Sequence, residues 1–462
     1  PFLIRENLKG KWAFDGFVMS DWTSTYSTLE CIKGGLDLEM PRAQYFKKEL
    51  IKPLIESGVV TEAEIDEKVC NILQTLIAFD FLDRPQLDKN ISEDNQYSRE
   101  TAYKMASESA VLLKNDGILP LKPGRKTKTV ILGPNADVIP CGGGSGKVSP
   151  LYSISLYAGM QELGKNYPVQ LVTPDENGSY DTPENVKAIE SATTVIVVAG
   201  FNTKTEKENS DRTFTLPEGQ DELISFAAAH NQNVVTVVYA GGGFDMSKWM
   251  DKVKAIVIGW YPGQEGGLAL ARMLAGEFSP SGRLPMSIEA KWEDNPVHDS
   301  YYPKEKAENK RGFTNRYVTY SEGVFMGYRG YDRLGTKPLF PFGYGLTYTT
   351  FDYKDIAVTP SGEGFDVTFT LTNTGSKAAA EVVQVYVGEQ NPTVARPKKE
   401  LKGYDKIYLN KGESRLVTIF LPKSAFEFYD VNIHDFRANN GKFNVMVGAS
   451  VEDIRLNAEI TR

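Results

Sequence analysis

Three features of this 462-residue sequence predict a mainly α/β chain: the tail of a (β/α)8 barrel, then an α/β sandwich, then an all-β sandwich. Five continuous apolar runs, TVILGPNAD (129–137), VQLVTP (169–174), TTVIVVAGF (193–201), NVVTVVYAGG (233–242) and AIVIGWYPG (255–263), are separated by helix-length segments such as LPEGQDELISFAAAH. Unbroken apolar runs of that length are the mark of parallel strands covered on both faces. From about residue 350 the pattern changes to near alternation, in FDVTFTLTNTG, AEVVQVYVG, SRLVTIFLP and KFNVMVGA, with turns between and no helical run. That pattern predicts an immunoglobulin-like or fibronectin-III-like sandwich. Near the N-terminus, two short strand-to-helix units end on acidic residues, as strands do at the C-terminal edge of a barrel.

Taken in order, Phe17, Val18 and Met19 form an apolar run that delivers Ser20, Asp21 and Trp22 at its end. Residues 23–33 have the length of a helix, and GGLDLEMP (34–41) begins a second strand closed by an acidic pair and a proline. A closed eight-stranded barrel needs roughly 200 or more residues, so these two units are read as its tail. The chain opens on Pro1 with no initiator Met or signal peptide in view, which predicts a fragment, or one chain of a nicked or assembled protein. Residues 43–84 carry helical spacing with a capping box at Thr61 and Glu64. Residues 85–98 are polar and predict a crossover linker, and SRETAYKMASESAVLLKND predicts a helix ending at Asp116 and Gly117. The expected division is 1–85 for the C-terminal part of the barrel, 86–116 for linker and helix and 117–295 for the α/β sandwich. A Tyr- and Gly-rich extended connector (296–349) and the all-β domain (350–462) complete it.

Composition narrows the function. A net charge of −8 argues against a nucleic-acid or anionic-membrane partner, which Lys/Arg excess would steer, and favours a neutral substrate. No run of about 18 apolar residues predicts a membrane span. Cys31, Cys70 and Cys141 are scattered without metal-ligand spacing and read as structural or free thiols. The three histidines, His230, His298 and His434, form no paired motif, so neither a zinc site nor a Ser-His-Asp triad is expected, and no cofactor is called for.

Eight motifs in order, GFVMSDW, GLDLEMP, SAVLLKNDGILPL, GGGSGKVSP, EKENSDRTFTLPEGQDELI, GWYPGQEGG, SGRLPMS and PLFPFGYGLTYTTF, resemble glycoside hydrolase family 3 along the whole chain. The resemblance implies a (β/α)8 barrel, an α/β sandwich and a fibronectin-III-like domain. It matches Asp21 to the family's nucleophile at the end of the seventh barrel strand.

The chemistry fits. Cleavage with retention needs two carboxyl groups roughly 5 to 5.5 Å apart, one ionised for attack and one protonated to assist departure. A short Asp on a rigid strand end suits the first task; taken alone, Asp21 could equally be a helix N-cap beside Thr23 and Ser24. By resemblance the acid/base comes from the loop TKTEKENSDR of the α/β sandwich, where Glu208 is the first choice and Glu206 the fallback. Without the resemblance, a Lys/Glu-rich loop reads as solvated surface. Trp22 and Met40 resemble residues bordering the −1 sugar, although Trp and Met are also ordinary core fillers. The stretch CGGGSGKVSP (141–150) lacks a Walker lysine placement and by resemblance is a loop reaching toward the active site.

The family's remaining −1 sugar ligands lie in earlier barrel strands that this sequence does not contain, so the isolated chain is expected to be inactive and to need the N-terminal barrel portion of the same protein. The Asp-Trp pair resembles the β-glucosidase branch, implying an exo-acting enzyme on terminal β-D-glucosyl residues. β-Xylosidase or another exo-β-glycosidase is the alternative, and a non-catalytic carbohydrate-binding or structural fragment is the rival from another class. A periplasmic or secreted location is expected, and a homodimer is compatible with the sequence.

Overall fold

The computed structural model describes residues 1–208, 210–302, 305–308 and 314–462. The chain divides into two compact units, Pro1–Glu93 and Asp94–Arg462.

The N-terminal unit opens with a π-helical segment, Phe2–Lys11. Two extended stretches then run side by side. The N–H groups of Asp37 and Leu38 donate to Val18 O at 2.9 and 3.1 Å, and that of Ser20 donates to Leu38 O at 2.9 Å. This makes one parallel bridge, at Met19 and Leu38, where two full strands were expected. With no further strand beside them among the described residues of this unit, two short segments cannot extend a ladder. Helices α1 (Thr28–Gly34), α2 (Lys48–Glu56) and α3 (Glu62–Ala78) follow. The first starts later than residue 23 because Ser27 caps it, accepting from the Glu30 N–H at 3.3 Å. The capping box forms as read: Thr61 Oγ1 accepts from the Glu64 N–H at 3.3 Å, and Glu64 Oε2 accepts from the Thr61 N–H at 2.9 Å.

In the larger unit, α4 (Gln96–Ser109) ends seven residues short of Asp116, and Val111–Asn115 is a strand, β1. This corrects the helix read through LLKND. Val111, Leu112 and Leu113 are all buried, and no single helix face could hide three consecutive apolar side chains against one neighbour. Strands β2 (Thr129–Leu132), β3 (Val169–Val172), β4 (Thr194–Gly200), β5 (Val234–Tyr239) and β6 (Ala255–Ile258) occupy the five apolar runs. Their order is β1-β6-β5-β4-β2-β3, parallel apart from β1, which is antiparallel to β6. Helices α5 (Leu156–Glu162), α6 (Pro183–Glu190), α7 (Gln220–His230) and α8 (Gly266–Ala275) cover the sheet.

Successive residues of β4 explain the unbroken hydrophobicity. Val195, Val197 and Ala199 pack with α6 and α7, while Ile196 and Val198 pack on the opposite face with α5 and α8. Each face demands apolar side chains, so the strand has no polar side. At its end, the Gln220 carboxamide accepts from the Gly200 N–H at 2.7 Å and donates to Gly200 O at 3.0 Å, fixing where the β4–α7 loop departs.

The connector is not simply extended. It holds the short helices α9 (His298–Tyr301) and α10 (Tyr328–Leu334) and a hairpin, β7 (Glu305–Glu308) with β8 (Thr314–Tyr317). Residues 303, 304 and 309–313 of it lie outside the described residues. Its last part lies on β1, where the Leu346 N–H donates to Leu112 O at 2.8 Å and the Tyr344 hydroxyl donates to Leu113 O at 3.1 Å.

The C-terminal domain is all-β, as its alternation predicts. One sheet is β13 (Ser414–Leu421), β10 (Gly364–Asn373) and β9 (Phe351–Ser361). The other is β12 (Glu400–Leu409), β11 (Ala379–Glu389), β16 (Lys442–Gly448) and β17 (Ile454–Thr461), and a small hairpin, β14 (Phe428–Asp430) with β15 (Asp435–Arg437), stands apart. A buried polar junction joins this domain to the α/β sandwich. Arg283 pairs with Glu381 at 2.7 Å, both side chains under a tenth exposed, and the Tyr353 hydroxyl donates to the other Glu381 oxygen at 2.8 Å.

Candidate active site

The predicted site residues fall into two groups. Asp21, Trp22 and Met40 belong to the N-terminal unit, and Glu206 and Glu208 to the larger one.

In the first group, the paired stretches bring Asp21 and Met40 to the same end. The Met40 N–H donates to Ser20 Oγ at 2.9 Å, and the Thr23 N–H donates to Met40 O at 3.1 Å. Asp21 is exposed and caps no helix; its Oδ1 accepts from the Trp22 N–H at 2.7 Å. The Trp22 ring is 54% exposed, so it is not core filler within this unit.

The acidic pair of GLDLEMP has a different role. Asp37 is buried and accepts from Lys9 Nζ at 2.9 Å, the Val18 N–H at 2.8 Å and Asn71 Nδ2 at 2.9 Å. Glu39, also buried, accepts from the N–H groups of Gln44, Tyr45 and Phe46 at 3.0, 2.9 and 2.8 Å. Every donor to these two is structural, and buried carboxylates satisfied in this way fix backbone. Asp21 is the carboxylate at this end left facing solvent.

In the second group, the two glutamates are held in opposite ways. Glu206 is built into the fold. Its Oε2 accepts from the Tyr261 hydroxyl at 2.6 Å and the Gly241 N–H at 3.0 Å, and its Oε1 pairs with Arg212 Nε at 3.2 Å. Arg212 in turn lies over the Phe201 ring, 4.4 Å from its centre, and donates to Gly243 O at 2.8 Å. The β4–α7 loop is thereby tied to the loops following β5 and β6.

Glu208 is exposed and meets the glycine-rich loop. Its Oε2 accepts from both the N–H and the hydroxyl of Ser145, at 2.7 and 2.6 Å. These two bonds hold the Glu208 carboxyl below its ordinary range. The loop at 141–150 is therefore a cradle for a carboxylate. Beside it opens a cavity of about 770 Å³, lined in part by Glu206, Asp211, Arg212, Trp292 and Tyr301.

Ser145, Arg212 and Tyr261 were not singled out from sequence. Each sits inside a quoted motif, but their partners lie 63, six and 55 residues away, and only Arg212 could have been paired by spacing. Among the described residues, no group of three His, Cys, Asp or Glu side chains could hold a metal ion, and no helix is long and apolar enough to cross a membrane.

Residues 110–348 match the glycosyl hydrolase family 3 C-terminal domain, and residues 381–451 match a fibronectin type III-like domain. The chain belongs to glycosyl hydrolase family 3. Thermostable β-glucosidase B of Acetivibrio thermocellus is 36% identical over 99% of this chain and 60% of its own length. An exo-α-(1→6)-L-arabinopyranosidase of Bifidobacterium breve is 34% identical over 98% and 60%. The crystal structure of a Bifidobacterium adolescentis family 3 β-glucosidase superposes with a TM-score of 0.90 at 32% identity, over all of this chain and 66% of that one. This chain thus spans about 60% of the length of these curated relatives.

Proposed function

We propose that the protein containing this chain is a retaining exo-β-glucosidase, with residues 1–85 completing its barrel, Asp21 as nucleophile and Glu208 as acid/base. The observation that carries the reading is the contrast between the two glutamates. Glu206 is locked by Tyr261, Arg212 and Gly241, whereas the Glu208 carboxylate stands exposed on the same loop. A residue that must give and take a proton within one cycle needs access to substrate and water.

In the first step the Asp21 carboxylate attacks the anomeric carbon and the glycosidic C–O bond breaks. The departing oxygen takes the proton from Glu208, leaving a glucosyl ester on Asp21. In the second, water attacks the same carbon, Glu208 takes its proton, and Asp21 leaves as carboxylate. Two displacements on one carbon return the β configuration. Trp22, exposed beside Asp21, offers an aromatic face to the apolar side of the sugar ring. Residues 1–462 alone are proposed to be inactive for want of the rest of the sugar site.

Proton NMR of the first-formed product of the complete enzyme tests this: β-glucose supports it, and α-glucose as first product overturns it. The arabinopyranosidase relatives, about as similar as the glucosidase, support a second substrate reading on the same chemistry. Comparing kcat/KM for aryl β-D-glucopyranoside and aryl α-L-arabinopyranoside decides between them.

A further inference from the structure

Two loops from different strands of the α/β sheet close on one another around Glu208. The Gly143 N–H donates to Glu206 O at 2.9 Å, the Glu208 N–H donates back to Gly143 O at 3.3 Å, and Gly143 and Lys207 form a parallel bridge. The fit leaves no room for a side chain at Gly143 or Gly144. A Cβ on Gly143 would lie 2.8 Å from Lys207 Cβ, and one on Gly144 would lie 2.3 Å from Glu208 Cβ. Gly144 also has φ +91°, a conformation open to few residues other than glycine. The chain pays for this approach in sequence freedom, and its result is that Ser145 reaches a single oxygen of Glu208 with two donors.

We infer that Ser145 is the positioning residue for Glu208: its hydroxyl and N–H, both on Oε2, fix the orientation of the carboxyl group that serves the leaving group. This rests on the assignment of Glu208 as the acid/base. A donor to the charged form favours that form. Ser145 therefore serves the base-catalysed second step directly, and confines the proton needed for the first step to the other oxygen, Oε1.

The other titratable groups carried by the two loops are Lys204, Glu206, Lys207, Asp211 and Arg212 on the first and Cys141 and Lys147 on the second, with Tyr261 bonded to Glu206. Glu206 is already paired with Arg212 and Tyr261, and no salt bridge to Glu208 occurs among the described residues. The Ser145 hydroxyl and N–H are the largest causes that depress the Glu208 carboxyl.

The test uses the complete enzyme with Ser145→Ala and Ser145→Thr. Removing the hydroxyl weakens the hold on the carboxylate, so Glu208 keeps its proton to higher pH. The alkaline limb of kcat/KM should move upward in Ser145→Ala, with a loss of roughly tenfold on poor leaving groups at the optimum, well short of the roughly 10²- to 10⁴-fold worth of general acid catalysis itself. Ser145→Thr, which keeps the hydroxyl, should restore both. A Ser145→Ala profile that falls in amplitude with its alkaline limb unmoved would overturn the inference, as would equal losses in the Ala and Thr variants. Failure of the underlying assignment looks different: Glu208→Ala would then lose activity equally on good and poor leaving groups.

Discussion

The Tyr261 hydroxyl donates to Glu206 Oε2 across 2.6 Å, joining the segment after β6 to the loop after β4. Burial, and then this bond, raise the phenol above its ordinary range, so it remains a donor throughout the pH range in which a glycosidase works. The bond holds the loop that carries Glu208, two residues further on, the group proposed as acid/base.

Tyr261→Phe should therefore act on the loop and not on the proton. Removing one hydrogen bond to a carboxylate costs roughly 1.5 to 3 kcal/mol of unfolding free energy, measurable by urea denaturation. In the complete enzyme kcat/KM should fall by a similar factor on good and poor leaving groups alike. A loss confined to poor leaving groups would give Glu206 and Tyr261 a part in proton transfer.

Asp21→Ala in the complete enzyme should abolish turnover of activated and natural substrates together, because the glucosyl ester cannot form. A 2-deoxy-2-fluoroglucoside should trap that ester on the wild-type protein, with the added mass on the peptide containing Asp21. Wild-type-like turnover in the variant would assign the attack to another carboxylate.

For Glu208→Ala the expected signature is selective. Poor leaving groups should lose about 10²- to 10⁴-fold, while good ones still form the ester and stall for want of a base. Azide, which needs no base, should restore turnover and yield β-glucosyl azide. Glu206→Ala should show no such rescue; rescue there and none at 208 would move the role two residues upstream.

The Arg283–Glu381 pair predicts a stability effect remote from the chemistry. Glu381→Gln leaves a buried guanidinium without its charge partner, at a cost of about 3 to 5 kcal/mol, and the urea midpoint should fall accordingly. Arg283→Met with Glu381→Leu should recover much of that loss, because two buried charges are removed together.

In the N-terminal unit, Lys33, and then the Thr61 N–H, hold the Glu64 carboxyl at about 2. A carboxyl depressed on folding adds stability above its unfolded pKa, and that stability is lost as pH falls toward the folded value. The gap in melting temperature between wild type and Glu64→Gln should narrow from near pH 4.5 down to near pH 2. A gap constant across that window would show that the Lys33 and Thr61 contacts stabilise nothing in solution.

The parts legible in the sequence are those in which local pattern and tertiary demand agree. Strands β2, β4, β5 and β6 announce themselves because both faces are covered, and Thr61 with Glu64 because a capping box is local. Strand β1 was hidden because α4 runs into it with no glycine or proline between, so Ala110 to Leu113 read as one more helical turn. The apolar run at 17–19 forms a single bridge within its unit, at Met19 and Leu38, because it finds one partner there at one point. The carboxylates could be nominated by resemblance, yet the distinction between Glu206 and Glu208 depends on Tyr261 and Ser145, which the fold brings from 55 and 63 residues away.

The strap of residues 344–346 along β1 has a consequence for solubility. A sheet that stopped at an open β1 would offer its unpaired backbone groups to another molecule's strand, a common start of aggregation. Leu346 and Tyr344 occupy acceptors on that margin. Expression boundaries drawn upstream of residue 344, in the hope of isolating the α/β domain, would strip this cover and yield material prone to self-association, whereas boundaries that keep the strap leave the margin closed.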